Sequence, residues 1–131
     1  MSTFNAIGVA GSGVTVYRKW LDAVSDNIAN MDNVSRTSEK AFQARYVVAQ
    51  EAQDGNGAQV GGIAYGSAEG VLSYEPDNPL SDTEGYVRRP DIDLGGQMAQ
   101  LMMAQRAYQA NLSVVDRARE SYSAAIQLGK S

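Results

Sequence analysis

Between Leu94 and about residue 128, the apolar residues Leu94, Met98, Leu101, Tyr108, Leu112, Val115, Tyr122 and Ile126 fall on one heptad register with no proline among them. A helix of that span runs about 50 Å at ~1.5 Å per residue, while a compact chain of this size has a radius of gyration near ~14 Å. Such a helix overhangs any globule the chain can form, and an overhanging apolar seam needs cover from other chains. The pattern therefore points to assembly. Gln105 and Arg119 occupy the two skipped seam positions, beside Ala104 and Ala118, which would let another helix approach closely. Polar residues there fix register and partner, or they are the ordinary edge of a core-facing stripe; the spacing alone leaves both readings open.

A second seam opens the chain. Ile7, Ala10, Val14, Tyr17, Leu21, Val24, Ile28 and Met31 alternate spacings of three and four, again a coiled-coil pattern. Gly8, Gly11 and Gly13 weaken its first turns, so that end is expected to fray or to need a neighbour. Asn27, Asn30 and Asn33 recur three apart in SDNIANMDN, although asparagine costs roughly 0.5 kcal/mol against alanine inside a helix. Asn27 and Asn30 flank the seam, where their amides could bond to a neighbouring helix. Asn33 suits a helix end, because asparagine tolerates the left-handed conformation. Interface and helix end stand as equal readings.

The middle is different in kind. All three prolines and seven of the thirteen glycines lie between residues 54 and 93, and residues 14 to 53 contain neither type. That middle also holds eight acids against two bases. AFQARYVVAQ (41 to 50) places Phe42, Ala44, Tyr46 and Val48 on alternate positions and reads as a strand. GGIAYGSAEGVLSYEP (61 to 76) fits one or two more short strands, and PDNPLSDTEGYVRRPD (76 to 91) reads as a run of turns. The expected fold class is mainly α with a small β insert. Residues 1–36 and 92–131 form a discontinuous helical core, and residues 37–91 a turn-rich acidic insert.

Much chemistry is excluded by what the chain lacks. It has no cysteine and no histidine, which removes disulfides, thiol nucleophiles, the usual zinc ligands and imidazole bases. A net charge of −4 favours neither nucleic acid nor an anionic membrane surface. Residues 6 to 16 resemble a signal-peptide core, but no base precedes them and Arg18 and Lys19 follow, so they are expected to be retained. No run approaches the ~18 apolar residues of a membrane span. The GSG at 11 to 13 lacks a preceding strand and a third glycine. Asp77, Asp82, Glu84, Asp91 and Asp93 lack calcium-loop spacing and read as solvated turn acids. NVS (33 to 35) and NLS (111 to 113) match the glycosylation pattern by chance, and Arg88-Arg89 reads as a turn pairing with nearby acids. No catalytic residue, cofactor site or metal site is expected, and the chain is not read as an enzyme.

Three stretches taken together carry a resemblance. DNIANMDNVS (26 to 35) resembles the N-terminal signature of flagellar axial proteins, the rod and hook subunits, and YQANL (108 to 112) resembles their C-terminal signature. LSYEPDNPLSDTEGYVRRPDIDL (72 to 94) is similar to the segment that marks a proximal-rod member. The departures are mild: Asp32-Asn33-Val34 replaces residues that are commonly small or threonine, and RTSEKA (36 to 41) is atypical, which bears on the local loop contacts.

The resemblance implies an antiparallel coiled coil of the two terminal helices, stacked with neighbouring subunits into a helical tube, and an outer β layer from the insert. It implies export without a cleaved signal through the flagellar type III export apparatus, and residence in the rod, within the cell envelope and periplasm. The implied partners are copies of the chain itself, proximal and distal rod subunits and a basal-body adaptor protein, with no nucleic acid and no direct membrane insertion. The expected subunit interface takes Ile7, Val14, Tyr17, Leu21, Val24, Asn27, Ile28, Asn30 and Met31 from the N-terminal helix. From the C-terminal helix it takes Met98, Leu101, Tyr108, Asn111, Leu112, Val115, Tyr122 and Ile126. The helices are expected to order on docking, because ordering costs ~1–2 kcal/mol per residue that an uncovered seam does not return. Rival readings are another rod or hook protein of the family and a two-helix partner-binding module.

Overall fold

The computed structural model describes residues 3–130, with side chains from residue 5 onward. Its elements are α1 (Thr3–Ala29), β1 (Arg45–Glu51), β2 (Ala58–Tyr65), β3 (Val71–Tyr74), β4 (Tyr86–Arg89) and α2 (Leu94–Gly129). The fold is thus mainly helical with a small β middle. Asp93 starts α2 as its cap: one carboxylate oxygen accepts the Gly96 N–H at 2.9 Å, satisfying a donor that the first turn cannot pair.

The end of α1 corrects one expectation. The helix stops at Ala29, and among the described residues no non-glycine residue has positive φ, so Asn33 does not end it in a left-handed conformation. Asn30 closes it instead: its backbone N–H and its side-chain amide both reach the Asp26 carbonyl, at 3.0 and 2.8 Å. Asn33 then donates to the Asn30 side-chain oxygen at 2.9 Å. Met31, read as the last seam position, lies in the turns beyond the helix.

Two sheets of two strands follow, β1 with β2 and β3 with β4. The strand expected from residue 41 begins at Arg45, because the chain before it bonds irregularly: Ala41 N–H donates to the Ala68 carbonyl and the Ala44 carbonyl accepts from Gly66. The run of turns expected from 76 to 91 contains β4, which pairs antiparallel with β3 in the register Val71–Arg89, Leu72–Arg88, Ser73–Val87 and Tyr74–Tyr86. Gly70 makes the entry to β3 possible, with φ +61° and so little space that a Cβ would lie 2.1 Å from the Arg89 carbonyl oxygen. On its other side β4 meets Ser35, through two backbone bonds of 2.8 Å between Ser35 and Arg88.

By mutual contact the chain divides into two compact units. One comprises Met1–Leu21, Val47–Gly62 and Met102–Ser131; the other comprises Asp22–Tyr46 and Ile63–Leu101. Each draws on both helices and on the β-rich middle. Apart from Pro90 and two glycines, the buried apolar side chains among the described residues are all alanine or valine: Ala10, Val16, Ala23, Val24, Ala41, Ala44, Val87 and Ala104. None of these described leucine, isoleucine, methionine or aromatic side chains is buried.

Candidate assembly surfaces

In α1 the buried positions are Ala10, Gly13, Val16, Ala23, Val24 and Asn27. This line runs largely one residue before the expected seam, whose large members Ile7, Val14, Tyr17, Leu21 and Ile28 are only half-buried. Small residues win the inner positions because they permit close approach. Within the first unit a Cβ on Gly13 would lie 2.9 Å from the Asn111 side-chain oxygen, so the two helices meet at that glycine. The Asn111 amide donates to Ala107 of its own helix at 3.0 Å.

The first unit also seats the β1–β2 connection on α1. Ser12 Oγ donates to the Val9 carbonyl at 2.6 Å and accepts the Ala58 N–H at 3.0 Å. The glycine-weakened start of α1 is therefore held from within the chain. Beside it, Val16, Tyr17 and Trp20 of α1 and Val47 and Ala49 of β1 line an apolar cleft of about 180 Å³. The Tyr17 and Trp20 ring centroids stand 6.1 Å apart.

In α2 the same displacement recurs. Gln97 and Ala104 are buried, and Leu101, Tyr108, Asn111, Leu112, Val115, Ala118 and Tyr122 are half-buried. Gln105 and Arg119 are exposed, while Ala104 beside the first is buried and Ala118 beside the second is half-buried. Met98 and Ile126 keep 44% and 42% of their surface. Leu94, Met102, Met103, Val114 and Leu128 are exposed as well.

The second unit is organised around Asn27, which is fully buried. Its side-chain oxygen accepts the Arg45 N–H at 2.8 Å, and its amide donates to the Arg45 carbonyl at 2.9 Å and to Gln97 Oε1 at 3.1 Å. The side chain thus pairs with the Arg45 peptide as a neighbouring strand would, joining α1, β1 and the first turn of α2. Asn27 does bond to a neighbouring helix, as one of the two readings of the sequence has it, through Gln97 of α2; it is turned inward and its donors are spent within the chain. Asp26 beside it forms an ion pair with Arg45 at the surface, a pair worth about 0–1 kcal/mol.

Electrostatics organise the loop that closes β3–β4. Asp82 accepts the N–H groups of Glu84 and Tyr86, both at 2.9 Å, and the Thr37 hydroxyl at 3.0 Å. These bonds, that from Tyr86 foremost, hold its carboxyl below its ordinary pKa. Arg89 pairs with Glu75 at 2.7 and 3.2 Å, which raises the guanidinium pKa further. Arg88 departs from the expected pairing with acids, since its terminal nitrogens donate to the Thr37 and Glu69 carbonyls.

Sequence reasoning missed Gln97, Arg45 and the Asp93 cap. The cap has a visible signal, an aspartate just before an apolar periodic run. Gln97, Ala104, Asn111 and Ala118 also form a heptad of small and polar residues, which the adjacent apolar series hides. Arg45 has no local signal, since its part is played by its backbone. Among the described residues no group of acids stands ready to hold a metal ion, and no helix is long and apolar enough to cross a membrane.

Comparison with known proteins gives a consistent picture. The family model described as flagellar basal body rod FlgEFG protein C-terminal matches residues 83–128. The flagellar basal-body rod protein FlgC of Salmonella typhimurium is 34% identical over 134 residues, covering 99% of this chain and 100% of the relative. FlgC of Bacillus subtilis is 27% identical with the same coverage, and FlgC of Borreliella burgdorferi is 29% identical over 98% of each chain.

Proposed function

Since this chain belongs to the FlgC family of flagellar basal-body rod proteins, we propose that it is held in the rod by the apolar surface that its own fold leaves uncovered. It is a structural subunit and not an enzyme, and it assembles into the flagellar basal body with other rod proteins. The observation that carries the proposal is the inverted distribution of side-chain size. Alanine and valine are buried, while Val9, Leu94, Met98, Met102, Met103, Val114, Ile126 and Leu128 stand exposed on the helices.

Covering what remains of each such residue yields about 1 kcal/mol, roughly half the value for full burial, so all eight contribute about 8 kcal/mol per copy. Association itself costs ~4–15 kcal/mol. Cover from several neighbours at once, as in a polymer, suits these magnitudes better than one pairwise contact.

The neighbours in this reading are copies of the chain itself, proximal and distal rod subunits and the basal-body adaptor protein. The interface includes the half-buried seam of Ile7, Val14, Tyr17, Leu21, Ile28 and Met31, together with Met98, Leu112, Val115 and Ile126. The two helices pair antiparallel as a coiled coil. In support, Gly13 meets Asn111 in one unit and Asn27 bonds Gln97 in the other, so the partner number falls as the α1 number rises. The insert, residues 37–91, faces outward. The chain reaches the growing rod in the cell envelope through the type III export apparatus without a cleaved signal, and the end of α2, where nearly every side chain is exposed, orders on docking.

Met98→Asp and Ile126→Asp test this reading, because both side chains are already exposed and a charge there costs the free chain little. Each variant is expected to keep the urea midpoint of the parent and to be missing from isolated basal bodies, leaving cells non-motile. Basal bodies that incorporate both variants normally would contradict the proposal.

A further inference from the structure

The connection between β1 and β2 contains Asp54-Gly55-Asn56-Gly57. Of the seven asparagines Asn56 alone precedes a glycine, and of the nine aspartates Asp54 alone does. Both pairs are open to one reaction, in which the backbone nitrogen of the second residue attacks the side-chain carbonyl carbon of the first. Glycine favours it because no Cβ hinders the approach. An N–H that already donates a hydrogen bond must first give that bond up.

The two pairs differ in this respect. The Gly55 N–H donates to the Ala52 carbonyl at 2.8 Å, and one Asp54 carboxylate oxygen accepts the Asn56 N–H at 3.0 Å. Nitrogen and side chain are therefore both engaged at Asp54-Gly55. At the second pair Asn56 is exposed, and among the described residues neither its side-chain amide nor the Gly57 N–H makes a hydrogen bond. Gly57 is tied by its carbonyl instead, which accepts from Ala52 at 2.9 Å.

The loop is seated on α1 directly after this point. A Cβ on Gly57, whose φ is +113°, would collide with Ser12 Oγ and lie 3.5 Å from the Val9 Cα, and the next N–H, that of Ala58, donates to the same Ser12 Oγ at 3.0 Å. Extra main-chain length at residue 56 has no room there: the Ala52–Gly57 bond and the Ala58–Ser12 bond cannot both survive it.

We infer that Asn56 is a site of spontaneous deamidation, selected over Asp54 by the fold, and that its main product unseats the β1–β2 connection from α1. The Gly57 nitrogen, its proton removed by hydroxide, bonds to Asn56 Cγ; the Cγ–Nδ2 bond breaks and ammonia leaves, taking up a proton from water. The resulting five-membered imide is opened by water. Cleavage of the new Cγ–N bond gives aspartate on an unaltered main chain. Cleavage of the original peptide bond gives isoaspartate, whose main chain runs through Cβ and Cγ and is longer by one methylene. The inference is independent of the rod reading.

The test is to age the purified full chain at mildly alkaline pH, folded and in urea, and to locate isoaspartate by methylation with an isoaspartyl methyltransferase followed by peptide mass spectrometry. Asn56 should convert first, with a mass gain of one dalton, and the ratio of conversion at Asn56 to that at Asp54 should be several-fold higher in the folded chain than in urea. An equal ratio in the two conditions would overturn the selection by the fold, as would an asparagine followed by a side chain converting before Asn56. Hydrogen exchange reads the second half: the Ala58 amide should exchange about tenfold faster in the aged chain than in the parent. Freshly purified Asn56→Asp, which carries the new charge without the added methylene, should match the parent. An Ala58 amide as protected in the isoaspartate chain as in the parent would refute the unseating, and so would equal loss of protection in Asn56→Asp.

Discussion

Replacing Asn27 by alanine should be the most damaging single change of a polar side chain in this molecule. The substitution removes three hydrogen bonds of 2.8, 2.9 and 3.1 Å at a fully buried position. Each bond contributes a net ~0.5–1.5 kcal/mol, and alanine returns about 0.5 kcal/mol of helix propensity. The expected loss is therefore about 2–3 kcal/mol, increased by whatever the Arg45 peptide loses in being left without its partner. With a urea slope of about 2 kcal/mol/M, the unfolding midpoint of the full chain falls by about 1–1.5 M, and the Arg45 amide exchanges correspondingly faster in hydrogen-exchange NMR. Asn30→Ala is the control, because its side chain makes only exposed bonds, to the Asp26 carbonyl and from the Asn33 amide. Asn27→Asp should be at least as severe at neutral pH, since a carboxylate accepts but cannot donate and would face the Arg45 carbonyl and Gln97 Oε1. A midpoint for Asn27→Ala no lower than that of Asn30→Ala would refute the reasoning that this side chain ties α1, β1 and α2 together.

Two further outcomes follow from local geometry. Gly11→Ala should stabilise the chain by about 0.5–1 kcal/mol in a urea melt, because the position is inside α1 with nothing within 4 Å of an added Cβ; Gly13→Ala should gain less, since Asn111 must move aside. The folded-state pKa of Asp82 lies below the ordinary 3.8, so its contribution to stability is present above that value and is lost as pH falls through the lower, folded pKa. Amides of the loop between β3 and β4 should then exchange faster in acid than the loss of other carboxylates explains, and Asp82→Asn should remove that extra acid sensitivity while weakening the loop at neutral pH.

How much of this was legible varies with the physics involved. Both long helices are plain in the sequence, because their apolar spacing persists over many turns; the start of α2 at Leu94 and its end near residue 128 needed no tertiary information. The inner face of each helix was harder. Apolar periodicity marks where large side chains lie, whereas Gly13, Ala104 and Gln97 are inside because they are small or are bonded there, and hydrophobicity carries no sign of either. Strand β4 was hidden in a segment rich in proline and aspartate, whose pairing with β3 is a non-local event. Asn27 shows the remaining limit: its type and position are visible, but its partner, the peptide of Arg45, leaves no trace in local spacing.

That the larger apolar side chains buried among the described residues are, Pro90 apart, only alanine and valine has a calorimetric consequence. The heat capacity increment of unfolding grows with the apolar area that becomes hydrated, and small side chains contribute little of it. The free chain should therefore show a low increment for its length and a broad, flat stability curve, resistant to cold as well as weak to heat. The missing heat capacity should appear instead when subunits join, as a large negative change on polymerisation. In thermodynamic terms the hydrophobic transition of this protein belongs to the rod and not to the molecule.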